Sequence, residues 1–344
     1  MQSPDKFVTL LIVGVLSLFA ASTVVAQDTT PEQVAQTDTV RVVDLDVVTV
    51  TGVQPGPGLW HVTKGDHQLW IMGVLSPLPS QMEWNSVVVR KRVAESQQVI
   101  LEPVFTINTD TGFFKSIYLG YKFYQVTKNP DRKKLVDVLP PEVYRRWEQA
   151  KRRYMPRDRG VERRRPLVAA DELFDAAIKR SGLSRKLVVE PTVKETAKAN
   201  DIPLRTPRVN VTIKDPKSAL AAASRVTLQD TECLVATLDA IDQDLPRMIT
   251  NANAWAEGDV DRISLAQIER RNHLCSDAFS NSELTKELGI PDVRVSSKEK
   301  WMNEVMKALS SNEQTFSIVP LQDILGPDGY AAELAAKGYS VQTP

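Results

Sequence analysis

Glu102 closes the apolar run Val99-Ile100-Leu101 and precedes Pro103. A carboxylate at the end of a buried strand is costly unless it is paired or bound to a cation, so Glu102 is a candidate for chemistry. Upstream, Gly73-Val74-Leu75-Ser76-Pro77-Leu78-Pro79 follows a strongly apolar run and is full of chain breakers. Such a loop can set a side chain at the carboxyl end of a strand, where open α/β sheets bind ligands. The three histidines, His61, His67 and His273, show no ligand spacing such as His-x-x-x-His, and each also suits a surface or a core edge. No His-Glu-x-x-His, phosphate-cradling glycine loop or Gly-x-Ser-x-Gly elbow occurs. Cys233 and Cys275, the two cysteines, are too few and too distant for a metal site. They read as a disulfide or as two buried thiols; a bridge would add roughly 4 kcal/mol in the chain-entropy picture.

Elements must position these groups. Residues 59–63 read as a strand, Lys64-Gly65-Asp66 as a turn and 68–72 as a buried strand. Residues 80–98 predict a helix with Trp84, Val87, Val88, Lys91, Ala94 and Glu95 along one face, followed by a strand at 99–101. Strand, loop, helix and strand in that order favour a parallel pair with a right-handed crossover. Residues 106–128, rich in glycine and aromatics, suggest a hairpin or an irregular cap. Helices are expected at 140–150, at 167–181 with Gly182 as the stop, at 193–200, from Asp215-Pro216 to Ile241, and at 248–255, 261–276, 298–310 and 330–337. Strands are expected at 187–189, 202–213, 315–319 and 338–341, with a loop at 320–329. The fold class is α+β: a mixed β-sheet core with strand–loop–helix–strand units and a large helical insertion at about 130–310.

The chain of 344 residues has 43 basic and 43 acidic side chains, so no overall field favours nucleic acid. A basic run occupies 145–165; it reads as a solvated helix face, with phosphate, anionic lipid or acidic glycan as the alternative partners. Lys6, the apolar stretch 7–21 and Val24-Val25-Ala26 make residues 1–26 a signal peptide in appearance. An uncleaved anchor is the alternative. A periplasmic or secreted product with no membrane span after cleavage is expected. Residues 27–57 would be a flexible mature terminus with a candidate edge strand at 40–53, and 58–344 the main domain.

The opening stretch and the carboxyl end together carry a resemblance. Gly58-Leu59-Trp60, the turn at Gly65, the apolar strand ending Gly73-Val74-Leu75-Ser76-Pro77-Leu78-Pro79, and the strand ending in Glu102 are similar to the amino-terminal signature of the TraB/GumN family, itself similar to the Tiki proteases. Gly326-Pro327-Asp328-Gly329 and Gly338-Tyr339-Ser340-Val341 resemble its closing signature, and Arg271-Asn272 matches its Arg-Asn dipeptide in the cleft. The resemblance implies divalent-metal hydrolysis of peptide bonds by two histidines and a glutamate. Glu102 matches the glutamate, whereas Ser76 and Asp323 stand at the two histidine positions. Asp323 with Glu102 could still ligate a hard ion such as Mg²⁺, Ca²⁺ or Mn²⁺, and His273 could reach that cleft. A Ser76–His273–Asp323 triad would need the three to converge. The expectation is an exported protein whose metal site has decayed, needing no cofactor and binding a peptide or polysaccharide ligand in the cell envelope. The alternative is an active metal-dependent hydrolase built on Glu102, Asp323 and His273.

Overall fold

A computed structural model describes residues 56–109, 124–125, 127–213, 215, 230–280, 285, 290–326 and 328–344. The expected signal segment, flexible terminus and edge strand lie outside these residues, as do most of the aromatic cap and the helix start at Pro216.

The apolar run leading to Ser76 is one arm of a hairpin. Strand β1 (Leu59–Lys64) pairs antiparallel with β2 (His67–Val74), with Leu59 opposite Met72. Then follow β3 (Leu78–Pro79), α1 (Val87–Ala94), β4 (Gln98–Ile100) and β5 (Val104–Thr109). Next come α2 (Leu135–Val138), α3 (Pro141–Tyr154), α4 (Pro166–Arg180), β6 (Leu183–Ser184), α5 (Val189–Ala199), β7 (Leu204–Arg205) and β8 (Arg208–Ile213). Last are α6 (Thr231–Gln243), α7 (Met248–Glu257), α8 (Ala266–Ser280), α9 (Val293–Leu309), β9 (Gln314–Pro320), α10 (Leu321–Ile324), α11 (Tyr330–Ala336) and β10 (Ser340–Gln342).

One mixed sheet has the order β10-β1-β2-β9-β4-β7, in which β2, β9, β4 and β7 are parallel. Its central strand β9 is buried from Gln314 to Val319, as expected of a strand covered on both faces. The fold is α+β. The stretch 130–310 is mostly helical, yet it also supplies β7 to this sheet and β8 to a separate parallel pair with β5.

Several sequence expectations shift. Strands β2 and β4 are parallel, as the strand–loop–helix–strand pattern suggested, but they are not neighbours. The far end of the chain inserts β9 between them. Helix α1 begins at Val87 rather than residue 80, and it buries Val89 and Val93 while Val87 is 69% exposed. Three consecutive valines offer an apolar side chain in either phase, so periodicity alone chose the wrong one. No strand forms at 187–189; Val189 opens α5 instead. Helix α8 starts at Ala266, not residue 261, where Asp244 reaches across from the end of α6. Its Oδ2 accepts the N–H groups of Gln267 and Ile268 at 2.8 and 2.7 Å. Helix α9 starts early, at Val293, because Asp292 caps it, accepting from Val295 N–H at 3.0 Å. The expected loop at 320–329 holds the helical turn α10.

Cys233 and Cys275 form a disulfide joining α6 to α8. Among the described residues no helix is long and apolar enough to cross a membrane.

Candidate functional site

Glu102 sits where a β-ladder breaks. Strands β4 and β7 pair up to Ile100 and Arg205, and the same two segments pair again as β5 and β8 from Val104 and Arg208. Four steps on the Glu102 side therefore face three on the other. Pro103 and Pro207 lie in this gap, and a proline has no N–H to give a ladder. Leu101 N–H still reaches Arg205 O at 2.8 Å, and Val104 N–H reaches Pro207 O at 2.9 Å. The extra residue is a bulge-like irregularity of the kind that re-aims a side chain. Here it carries Glu102 just beyond the carboxyl end of β4.

Asp323 arrives at the same edge from β9. That strand runs straight into α10, and Leu321 and Ile324 anchor the turn in the core. Gly73 on β2 makes room for it: a Cβ there would stand 2.6 Å from Leu321 Cδ1 and 3.2 Å from Ile324 Cδ1. Gly329 closes the following turn, where a Cβ would collide with the carbonyl oxygens of Ile324 and Leu325 at 2.3 Å. These contacts give physical content to two of the glycines in the motifs. The loops after β2, β9 and β4 thus leave the carboxyl ends of three adjacent parallel strands, the place where open sheets hold ligands.

Charge links the two acids. Burial first, then the carboxylates of Glu190 and Asp323, push Glu102 from the ordinary 4.5 up to about 7. Burial likewise raises Asp323 from 3.8 to about 6, against the opposing pull of the Arg294 guanidinium. Tyr330 lies buried beneath them, stacked on Trp301 with ring centroids 4.4 Å apart. Burial and the charges of Asp323, Glu102 and Glu333 hold its hydroxyl well above the ordinary tyrosine range, so it keeps its proton as a neutral donor. Among the described residues neither Glu102 nor Asp323 has a hydrogen-bond or ion-pair partner. A carboxyl group near 7 can give or take a proton at neutral pH.

The other candidates have different surroundings. Ser76 leaves the same sheet edge, after β2, but is exposed. Arg271 is buried against α4: its Nη2 pairs with Asp171 at 2.8 Å, its Nε donates to Thr237 Oγ1 at 3.2 Å, and its guanidinium covers the Phe174 ring at 4.2 Å. Asn272 accepts from Arg271 Nη1 at 3.2 Å. His273 is exposed and touches Arg294, the residue whose charge acts on Asp323. His61 stacks on Trp70 with centroids 3.9 Å apart, and His67 Nδ1 bonds Asn312 O at 2.7 Å. Both serve the sheet.

Sequence reading missed Tyr330, Arg294 and Glu190 as neighbours of the two acids. Glu190-Pro191 echoes Glu102-Pro103 in the sequence. That likeness was the one local signal, and it did not show that Glu190, paired with Lys194 on α5, would face Glu102.

The donor set does not fit the ion of a two-histidine site. A third ligand fails to join Glu102 and Asp323: among the described residues no group of three His, Cys, Asp or Glu side chains is arranged to hold a metal. The cation acting on Asp323 is Arg294.

A family model described as the TraB/PrgY/gumN family matches residues 58–343. No curated protein and no solved structure matches.

Proposed function

The chain belongs to the TraB/PrgY/gumN family, and from that premise we propose that it is an exported member with a binding or scaffolding role in the cell envelope. Its ligand would be a peptide or a polysaccharide, and its metal-dependent peptidase chemistry would be lost. The observation that carries this reading is the donor set. Glu102 and Asp323 come together at the sheet edge, but Ser76 is exposed and, among the described residues, no third His, Cys, Asp or Glu completes an ion site. Two neighbouring carboxyl groups beside a neutral tyrosine suit hydrogen bonding to amides or sugar hydroxyls. The test is elemental analysis of the purified full chain, with thermal melts in Mn²⁺, Zn²⁺ and Ca²⁺. Sub-stoichiometric metal and an unchanged melting temperature are expected. Metal-dependent peptidase activity that Glu102→Ala abolishes would sink the proposal.

One observation favours a second reading, hydrolysis by an altered Glu/Asp site. Glu102 and Asp323 stand at the ends of neighbouring parallel strands and both are raised toward neutral pH by burial, so the pair can hold one proton and release it there. His273, facing Arg294 on the surface, adds nothing to that pair. Peptide hydrolysis that persists in chelator and is lost in both Glu102→Gln and Asp323→Asn would favour this reading over the first.

A further inference from the structure

The basic run at 145–165 divides into an inward and an outward half. On α3, Val143, Tyr144, Trp147, Ala150 and Tyr154 recur at spacings of three and four and pack inward, with Trp147 fully buried. The acids of the run are held by local partners. Glu162 accepts from Trp147 Nε1 at 3.1 Å and pairs with Lys151 at 3.3 Å. Asp158 Oδ1 accepts the N–H groups of Gly160 and Val161 at 2.8 and 3.1 Å. Glu148 pairs with Arg152 at 3.1 Å. Arg145, Arg153, Arg157, Arg159 and Arg163 are left exposed, with no carboxylate partner among the described residues. Arg180 joins them from the last turn of α4, donating from Nη1 to Arg153 O at 3.1 Å.

We propose that this arginine surface docks the protein on an anionic phospholipid bilayer. Arginine presents a planar fork that matches phosphate oxygens. The surface is the outer face of a helix and the segment after it, a shape that suits a plane of headgroups. Nucleic acid fits less well. Trp147 is buried and Tyr154 lies half-buried with the Arg153 guanidinium 5.2 Å from its ring, so neither ring is open to stack on bases.

Each basic side chain near an anionic bilayer strengthens binding about fivefold. The triple variant Arg153→Gln, Arg157→Gln, Arg159→Gln should therefore bind on the order of 100-fold more weakly. The experiment is co-sedimentation of the purified full chain with phosphatidylcholine vesicles, with and without phosphatidylglycerol, at low and high salt. The apolar segment near residue 1 is common to every variant, so the readout is the gain on adding phosphatidylglycerol. That gain should be large in the parent, screened by salt, and lost in the triple variant. It should persist in a control with Arg208→Gln, Arg247→Gln and Lys300→Gln, which are exposed elsewhere. If the triple variant melts early, Arg145→Gln with Arg163→Gln replaces it, with a loss of about 25-fold. Glu102→Ala should leave the gain intact, which separates this proposal from the reading of the sheet edge. Equal binding to both vesicle types, an unaffected arginine variant, or duplex DNA bound as tightly as the anionic vesicles at the same salt would overturn it.

Discussion

Glu102 makes a pH-dependent contribution whose sign follows from its environment. In the unfolded chain it ionises near 4.5, and in the folded chain near 7, because burial and the charges of Glu190 and Asp323 disfavour the carboxylate. Below about pH 4.5 both states hold the proton, and the native state bears no penalty from this group. As pH rises toward 7 the unfolded chain releases its proton first, so stability falls and then levels off. Asp323 adds the same trend between about 4 and 6. Glu102→Gln should therefore match the parent in acid and exceed it above pH 7, by about 2 kcal/mol once partial solvent screening is allowed for. Denaturant melts across pH measure this; parallel curves for parent and variant would mean that the carboxylate is not disfavoured by its surroundings. Asp323→Asn should lower the Glu102 midpoint in a carboxyl NMR titration, since a repelling charge is gone. The identity of Glu102 as a candidate was legible because a carboxylate ended an apolar run. Its surroundings were not, since Glu190 and Tyr330 approach it, and Arg294 approaches Asp323, from three separate elements.

Hydrogen bonds between elements fix where those partners stand. Trp301 on α9 donates from Nε1 to Ser317 Oγ at 3.0 Å, and that hydroxyl donates to Ile100 O, also at 3.0 Å. One buried serine thereby ties α9, β9 and β4 together, and Trp301 in turn carries the Tyr330 ring. Ser317→Ala would leave an indole N–H and a carbonyl unpaired in the core. A loss of about 1–3 kcal/mol is expected by chemical denaturation. A cost of a few tenths would mean that water or a shifted side chain satisfies both groups. The element types were largely readable, and helices α3 and α4 fall close to their expected places, whereas α6 begins only at Thr231, well after the expected start at Asp215-Pro216. Helix starts were less so where the cap comes from elsewhere, as with Asp244 on α8. The phase of α1 was hidden by Val87-Val88-Val89, which fits either face.

At the scale of the molecule, the sheet is completed by the last two strands of the chain, β9 and β10. Strands β2 and β4 share no ladder; each pairs with β9, and β1 gains its second neighbour from β10. Phe316, Ile318 and Val319 on β9 are fully buried, each a contribution of about 1.5–3 kcal/mol. Their sum is comparable with the whole stability of an ordinary domain. A chain ending at Asn312 should therefore lose cooperative thermal unfolding, which circular dichroism would show; a sharp transition retained in that fragment would contradict the topology. The disulfide across 42 residues, worth about 4 kcal/mol by chain entropy, holds α6 to α8 but cannot replace β9.

The sequence by itself determined the α+β class, the hairpin before Ser76 and the acid Glu102 at a strand end. Each is written in a local pattern: an apolar run, a breaker, a residue type. Tertiary structure alone decided that β9 separates β2 from β4, that Asp323 comes near enough for its charge to act on Glu102 while Arg271 turns to Asp171, and that Glu162 of the basic run turns inward to Trp147 and Lys151. Those outcomes depend on contacts between residues far apart in the chain, where burial and charge act through space and leave no mark on neighbouring letters.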